Sequence, residues 1–207
     1  MITSNEKEQI KDLITESEKR TSSEIVPMVI TRSDDYPAAH FRGAIIVSFL
    51  FSLGLYFSPL SIINPIYFLW IQIPGLLAGY FLAEIHFFTR MLTTKQEIEH
   101  EVTQRAIEAF FHHGLHTTKK HNGVLIFISM LEHKIKIITD VGVKERVDQK
   151  IWDEIIVAFT EKVQGGNLVP ALKDTITATA DVLENYFPYE EGKDSRRNEL
   201  KNDLILE

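Results

Sequence analysis

The sequence contains no cysteine and has no excess of basic residues. Its 207 residues carry 22 Lys and Arg against 29 Asp and Glu, which gives a formal net charge of -7. Zero cysteines agree with a reducing compartment. A nucleic-acid-binding protein would be expected to present a basic face, so the acidic balance argues against nucleic acid as a partner.

A second absence concerns charge along one stretch. Residues 43–83 include no Asp, Glu, Lys, Arg or His, although 25% of the whole chain is Asp, Glu, Lys or Arg. One helix over this stretch would be roughly 60 Å long, about twice the hydrocarbon thickness of a bilayer. The length therefore predicts two membrane spans, at residues 40–58 and 65–85.

The middle of the apolar stretch contains turn signals. Ser58-Pro59 and Asn64-Pro65 interrupt a helix, because proline lacks an amide donor and restricts the residue before it. Aromatic residues gather near this turn and again at the far ends of the two spans, which favours a hairpin that crosses the bilayer. The first span is short, so a re-entrant hairpin is the alternative.

Basic residues predict the orientation of the hairpin. Arg32 and Arg42 precede it, Arg90 and Lys95 follow it, and the turn between the spans is uncharged. By the positive-inside rule, both ends of the chain face the cytoplasm. We therefore expect an integral protein of the cytoplasmic membrane with two spans and with cytoplasmic N- and C-termini.

Hydrophobic periodicity predicts the elements outside the apolar stretch. Thr3 and Glu6 form a capping-box pattern at the start of the first helix, and Pro27 places the first strand at an edge or a bulge. The last two strands should form an antiparallel hairpin, whereas the first and second should be parallel across a helical crossover. The predicted helices are 4–20, 95–113, 146–163 and 168–187, and the predicted strands are 24–30, 123–129 and 134–139.

These elements predict an α/β (α+β-like) sandwich with a mixed sheet of at least three strands, interrupted by a two-helix transmembrane hairpin. A single helix and strand cannot bury enough apolar area alone, so the residues before and after the hairpin should form one folding unit. The predicted organisation is 1–37 and 89–188 for the two parts of the α/β domain, 38–88 for the hairpin and 189–207 for a charged tail.

Asp140 is the best single candidate for chemistry. It follows a predicted strand, and ligands commonly bind beyond the carboxyl ends of strands in α/β sheets. Gly142 would let a backbone or a phosphate approach closely. The alternative is that Asp140 caps the turn into the next helix, because Asp accepts local amide hydrogen bonds. A ligand or divalent-cation contact and a capping role both remain open at this point.

His112 and His116 are the other candidates, as weak metal ligands. Their spacing of four residues suits zinc if both lie on one helix face. Gly114 weakens that helix, and no Glu or Cys completes a recognised ligand set. A structural or solvated role is the competing interpretation.

Three segments together resemble the TPM domain family. They are residues 117–129, which include Asn122-Gly123-Val124-Leu125-Ile126, then Asp140-Val141-Gly142-Val143, then Trp152. The resemblance implies an α/β sandwich with a mixed sheet. A plant member of the family has been credited with acid phosphatase activity and calcium binding, so the resemblance implies these two activities as expectations. The Asp-rich segment before the first helix of such relatives is missing from residues 1–8.

Two functional hypotheses follow from these observations. The first is an integral membrane protein whose cytoplasmic TPM-like domain binds or assists another membrane protein. The lipid bilayer is a further partner, and self-association is the alternative to a membrane-protein partner. Gly75 and Gly79 form the GxxxG pattern that suits self-association. The alternative is a membrane-bound phosphatase or divalent-metal-binding protein that uses Asp140.

Overall fold

The computed structural model describes residues 2–58, 64–190, 200 and 202–207. The chain divides into two compact units. Met1–Ser33 and Val102–Glu207 form the first, which we call the α/β unit, and Asp34–Glu101 form the second, which we call the helical unit. The predicted turn around Pro59 and most of the predicted charged tail lie outside the described residues.

Within the described residues, the α/β unit has a four-stranded mixed sheet in the order β3-β2-β1-β4. Its strands are β1 (Ile25–Ile30), β2 (Val124–Ser129), β3 (Lys134–Thr139) and β4 (Ile205–Leu206). β1 and β2 are parallel, with Ile25 opposite Val124, and β2 and β3 are antiparallel. The predicted parallel crossover from β1 to β2, the antiparallel β-hairpin of β2 and β3, and the mixed sheet are therefore confirmed.

β4 is an addition that the sequence analysis missed. It pairs in parallel with Met28 and Val29 of β1, so β1 is an interior strand and the predicted edge position is wrong. Pro27 is nevertheless accommodated. Backbone groups of Val29 and Thr31 bond to Glu207 on the β4 side. Alternate residues of a strand direct their backbone groups to the same side, so those of Pro27 also face β4. Its missing amide therefore points toward β4, outside the two paired residues, and costs no bond to β2.

Three amphipathic helices bury one face of this sheet: α1 (Ser4–Glu18), α8 (Gln149–Gln164) and α9 (Leu168–Tyr186). α1 begins at the predicted capping box, in which Thr3 and Glu6 exchange hydrogen bonds. Apolar side chains repeat at helical spacing on each helix and meet alternate residues of the strands. The fully buried members of this core include Ile10, Ile14, Val124, Ile126, Leu172, Ile176 and Leu183.

The described part of the helical unit contains α2 (Pro37–Tyr56), α3 (Tyr67–Trp70), α4 (Gln72–Leu82) and α5 (His86–Leu92), and α6 (Lys95–His112) begins at its end. Thr94 and Glu97 form a capping box at the start of α6. Arg42 also donates to both carboxylate oxygens of Glu97, at 2.8 and 2.6 Å. Arg42 is the main cause that lowers the pKa of Glu97 to about 2.

The predicted pair of membrane spans is not supported. Among the described residues, α2 is the one helix long and apolar enough to cross a bilayer by itself. The second apolar run is broken after Trp70, and Tyr67–Leu82 bends by 104° into His86–Leu92. Pro74 explains the first break, because proline has no amide to donate to the carbonyl of Trp70, four residues earlier.

Small residues allow α2 and α4 to pack at very short range. A Cβ on Gly79 would lie 2.2 Å from the carbonyl oxygen of Gly43 and 2.7 Å from the Cα of Ala44. A Cβ on Gly75 would lie 2.7 Å from the Cα of Ser48. Backbone therefore meets backbone along this contact, which is the use expected of a GxxxG pattern.

We predict that Gly79→Ala separates α2 from α4. The added methyl group meets backbone atoms that cannot rotate away, so the substitution should cost about 1–3 kcal/mol and lower the thermal unfolding midpoint by several degrees. Circular dichroism of the full chain in mild detergent measures this effect. Gly54→Ala is the matched control, because a Cβ on Gly54 meets nothing within 4 Å. Equal midpoints for the two variants would contradict close helix packing.

Candidate functional site

The direction of β3 decides which edge of the sheet Asp140 occupies. β3 runs antiparallel to β2, so its carboxyl end lies beside the amino ends of β1 and β2. The amide of Asp140 donates to the carbonyl of Gly123, and the amide of Val124 donates to the carbonyl of Glu24, both at 2.9 Å. The argument from the carboxyl ends of parallel strands therefore does not apply to Asp140, because that rule concerns the opposite edge.

Asp140 is the N-cap of the short helix α7 (Val141–Lys144). Its Oδ1 accepts from the amide of Val141 at 2.7 Å, and its Oδ2 lies 3.2 Å from Nδ1 of His121. The residue is 9% exposed, whereas the His121 side chain is 59% exposed. Both carboxylate oxygens thus have protein partners, as the capping interpretation expects.

Gly142 is required by the protein backbone. Its amide donates to the carbonyl of His121 at 2.9 Å. A Cβ at this position would lie 2.6 Å from that oxygen and 2.9 Å from the carbonyl oxygen of Lys120. The close approach inferred from the sequence is therefore made by the 120–121 loop, where His121 has a positive φ of 51°.

The Asn-Gly motif of the loop before β2 is also structural. Asn122 is 2% exposed, and its side-chain amide donates to the carbonyl of Ser22 at 2.7 Å across 100 positions of sequence. The hydroxyl of Thr118 accepts from the amide of Asn122 at 3.2 Å. A Cβ on Gly123 would lie 2.5 Å from the carbonyl oxygen of Leu115. These residues hold the amino ends of β1 and β2 in register.

Two carboxyl groups meet near the start of β1. Burial, and then the charge of Glu24, raise the pKa of Glu18 to about 8. The carboxyl group of Glu18 accepts from the amide of Ile25 at 3.0 Å, and it also shares hydrogen bonds with Glu24 and Asn202. Sequence analysis missed Glu18, which resembles the many solvated acidic residues of α1. Its position next to buried Ser17, at the end of the helix, was the available signal.

A further buried acidic residue lies at the opposite edge of the sheet. Glu132, in the turn between β2 and β3, is 2% exposed. Its carboxylate accepts from the hydroxyl of Ser129 and, at 2.8 Å, from the amide of Ser33. These contacts join the turn to the residues that follow β1. Glu132 lies in the turn of the predicted antiparallel hairpin, and nothing local in the sequence indicates that this turn is covered.

The two candidate histidines do not share a helix face. α6 ends at His112, Gly114 adopts a positive φ of 73°, and His116 lies in the following 3₁₀ helix, Leu115–Thr117. The His112 ring contacts His113, whereas the His116 ring contacts Phe111. Within the part of the chain that the structure describes, no group of three or more His, Cys, Asp or Glu side chains is arranged to hold a metal ion.

The Asp140 loop presents a carboxylate oxygen that lies 3.2 Å from Nδ1 of an accessible imidazole. Such a pair can fix the orientation of the histidine ring. Phosphoryl transfer additionally needs cationic groups or metal ions positioned around the transferred group. A role for Asp140 and Gly142 in ligand or metal binding stays a prediction.

The fold defines a class of protein: a mixed α/β sheet covered by helices, into which a helical unit is inserted. Residues 84–182 match the family model of the TPM domain. The chain contains a TPM domain. The matched residues begin after β1, although the structure pairs β1 with β2 in the same sheet.

One solved structure supports the fold assignment. The NMR structure of BA42 protein from the psychrophilic bacterium Bizionia argentinensis sp. nov. is 21% identical to this chain and superposes with a TM-score of 0.63. The match covers 100% of this chain and 96% of that chain. A search of curated proteins finds no match. At this identity the likeness concerns the fold alone.

We predict that Asp140→Ala lowers the free energy of unfolding by about 1 kcal/mol, because the N-terminus of α7 loses its cap. Asp140→Asn should cost much less, since an amide oxygen still accepts from Val141. Urea unfolding followed by emission of buried Trp152, in a Trp70→Phe background, measures both variants. Equal losses for Ala and Asn would instead assign the stabilisation to the charge pair with His121.

A second prediction concerns pH. The pKa of Glu18 is raised from 4.5 to about 8 in the folded chain, so the folded state holds this proton more tightly than the unfolded state. Its contribution to stability is complete below pH 4.5 and is lost as the pH rises to 8, with a slope of at most about 1.4 kcal/mol per pH unit. Glu18→Gln should remove this loss and be more stable than wild type at pH 8.

Unfolding free energies of the two proteins across this pH range test the prediction. Glu16→Gln, an exposed substitution on the same helix, is the control and should follow the wild-type profile. A Glu18→Gln profile parallel to wild type would show that the proton of Glu18 is not linked to folding.

Proposed function

We propose that this protein is a membrane-tethered binding module. The helical unit lies in a lipid bilayer, and the TPM domain at the cytoplasmic surface docks onto another membrane protein. The proposal depends on how side chains are distributed in the helical unit: its large apolar side chains are exposed, whereas its small residues are buried.

The outward face of the helical unit is strongly apolar. Phe49 of α2 is 67% exposed, Phe57 is 78% exposed and Trp70 is 64% exposed. The inner face has Gly43, Ala44, Ser48, Gly75 and Gly79 instead. A water-soluble helix pair would bury the large residues. Lipid removes that preference, and helices in a bilayer associate through small residues that permit close packing.

The dimensions of α2 suit this environment. Its 20 residues extend about 30 Å, which equals the hydrocarbon thickness of a typical bilayer. Arg42 lies near its amino end, where its charge is paired with Glu97. Large contiguous apolar surfaces are rare on monomeric soluble proteins, and they mark membrane or protein contacts.

The sheet constrains the route of the chain. β1 precedes the helical unit and β2 follows it, yet the two strands pair directly. The chain must therefore return to the side of the bilayer from which it left. We propose that α2 enters the bilayer and that α3 and α4 return from it, as two spans or as a re-entrant loop. The flanking basic residues favour the cytoplasm for both ends.

A binding role suits the groups that the TPM domain presents. The polar residues at Asp140 and Asn122 hold the domain together, and the described residues include no metal-ligand group of three or more members. A domain that is rigid and held at a membrane surface gains effective concentration toward partners in the same bilayer.

Trp70 provides a direct test of membrane insertion. Trp70 is 64% exposed in the helical unit, whereas Trp152 is 2% exposed in the core of the α/β unit. In vesicles that contain brominated lipid, the wild-type protein should lose a large share of its emission. The remaining emission of Trp70→Phe should not be quenched. Equal quenching in the two proteins, or none in either, would contradict insertion of the helical unit.

Partner binding is tested by gentle detergent extraction of native membranes after crosslinking. The expected product is a defined complex with one further membrane protein, and recovery of free monomer alone would contradict the proposal. A phosphatase assay with and without magnesium or calcium tests the alternative function. If the wild type is active and a folded Asp140→Asn variant is not, the binding-module proposal is rejected in favour of a phosphatase.

A further inference from the structure

The segment 202–207, which contains β4, contacts the α/β unit much as a bound peptide would. The amide of Glu207 donates to the carbonyl of Val29 at 3.1 Å, and the amide of Thr31 donates to the carbonyl of Glu207 at 2.7 Å. Backbone groups of β1 therefore receive an extended strand along its outer edge, which is the geometry of β-augmentation.

Side chains on both sides of β1 hold the same segment. Lys11 of α1 lies 2.8 Å from Asp203, and Arg105 of α6 lies 2.7 Å from Glu207. Between these two ion pairs, Leu204 packs against the apolar core. We call the residues that receive the segment, Lys11, Val29, Thr31 and Arg105, the β1 edge site.

The strength of this contact is modest. The side chains of both ion pairs are between 40% and 55% exposed, and exposed ion pairs contribute little to stability. The strand itself has two residues, and Pro27 prevents a longer ladder because it offers no amide on this side of β1. Asn202 adds side-chain hydrogen bonds to Thr15 and Glu18. The segment is therefore positioned specifically, by a two-residue ladder and a few side-chain contacts.

We propose that the β1 edge site is a docking site for an extended peptide of a partner protein, and that segment 202–207 occupies this site in competition. The peptide has an acidic residue, three apolar residues and a second acidic residue, the pattern of residues 203–207. The proposal rests on the partner-binding role inferred above and identifies the class of partner surface.

A partner peptide is favoured over the same segment of a second copy. Exchange between copies would replace each contact by an identical one and would lose the high effective concentration of a segment on the same chain. A partner peptide can gain affinity through residues beyond the two-residue ladder. Competition for β1 then makes binding dependent on release of segment 202–207.

A labelled peptide with the sequence of residues 202–207 tests the site by fluorescence anisotropy on the full chain. Leu204→Asp places a charge against the apolar core and should release the chain's own segment. This variant should bind the peptide at least about tenfold more tightly than wild type, because the intramolecular competitor is gone. Glu207→Pro, which removes the amide donated to Val29, should have the same effect.

Charge reversal tests specificity. A peptide with Lys in place of both acidic residues should bind the Leu204→Asp chain poorly, and adding Lys11→Glu and Arg105→Glu to that chain should restore its binding. Circular dichroism and Trp152 emission confirm that each variant is folded. The proposal is overturned if neither displaced variant binds more tightly than wild type, or if both peptides bind equally.

The competing occupant is a second copy. Because the chain has no cysteine, Lys11→Cys and Asp203→Cys chains can be mixed, with Glu16→Cys in place of Lys11→Cys as the control. A disulfide specific to the Lys11→Cys and Asp203→Cys chains would overturn the proposal in favour of strand exchange. Loss of peptide binding with retained lipid quenching and partner capture would reject the β1 edge site while leaving the membrane-tethered module intact.

Discussion

The parallel pairing of β1 with β2 is the contact on which the remaining structure depends. Ile25 lies opposite Val124, and the buried side-chain amide of Asn122 bonds to the carbonyl of Ser22, which is 100 positions away in sequence. Joining such distant segments carries a loop-closure cost that rises only slowly with loop length. A whole helical unit can therefore be inserted between two neighbouring strands, provided that the chain returns to the sheet.

The residues that carry the TPM resemblance serve this pairing. Thr118, Asn122 and Gly123 position the loop that enters β2, and Asp140 and Gly142 connect the end of β3 to that loop. Their side chains are short or absent because backbone segments approach closely, as the contacts of Gly123 and Gly142 show. A family motif can thus describe how a domain is assembled, and motif residues become catalytic candidates only when groups for a reaction surround them.

The two units follow different rules of solvation. The α/β unit buries its large aliphatic residues, as a protein in water does, whereas the helical unit exposes them and buries glycine and alanine. The proposed bilayer location accounts for this reversal. The proposed β1 edge site adds a second kind of contact, through backbone hydrogen bonds and charge, which operates in water at the surface of the α/β unit.

Local patterns in the sequence determined most of the elements. Apolar periodicity located the helices and strands, the capping box located the start of α1, and the absence of charge over residues 43–83 located the apolar helices. These features depend on neighbours within a few positions. The break after Trp70 is also local, because Pro74 cannot donate an amide hydrogen bond to the carbonyl of Trp70.

Tertiary structure alone decided the rest, because those features join residues that are remote in sequence. The direction of β3 placed Asp140 at the amino edge of the parallel strands. Burial in the folded domain, where Asn202 bonds to Glu18, is the main reason why the pKa of Glu18 rises to about 8. By its sequence, segment 202–207 is the end of a charged tail, and only the folded structure shows that it pairs with β1 as a strand. Burial and strand pairing depend on contacts between residues that are far apart in sequence, and a local sequence pattern does not specify those contacts.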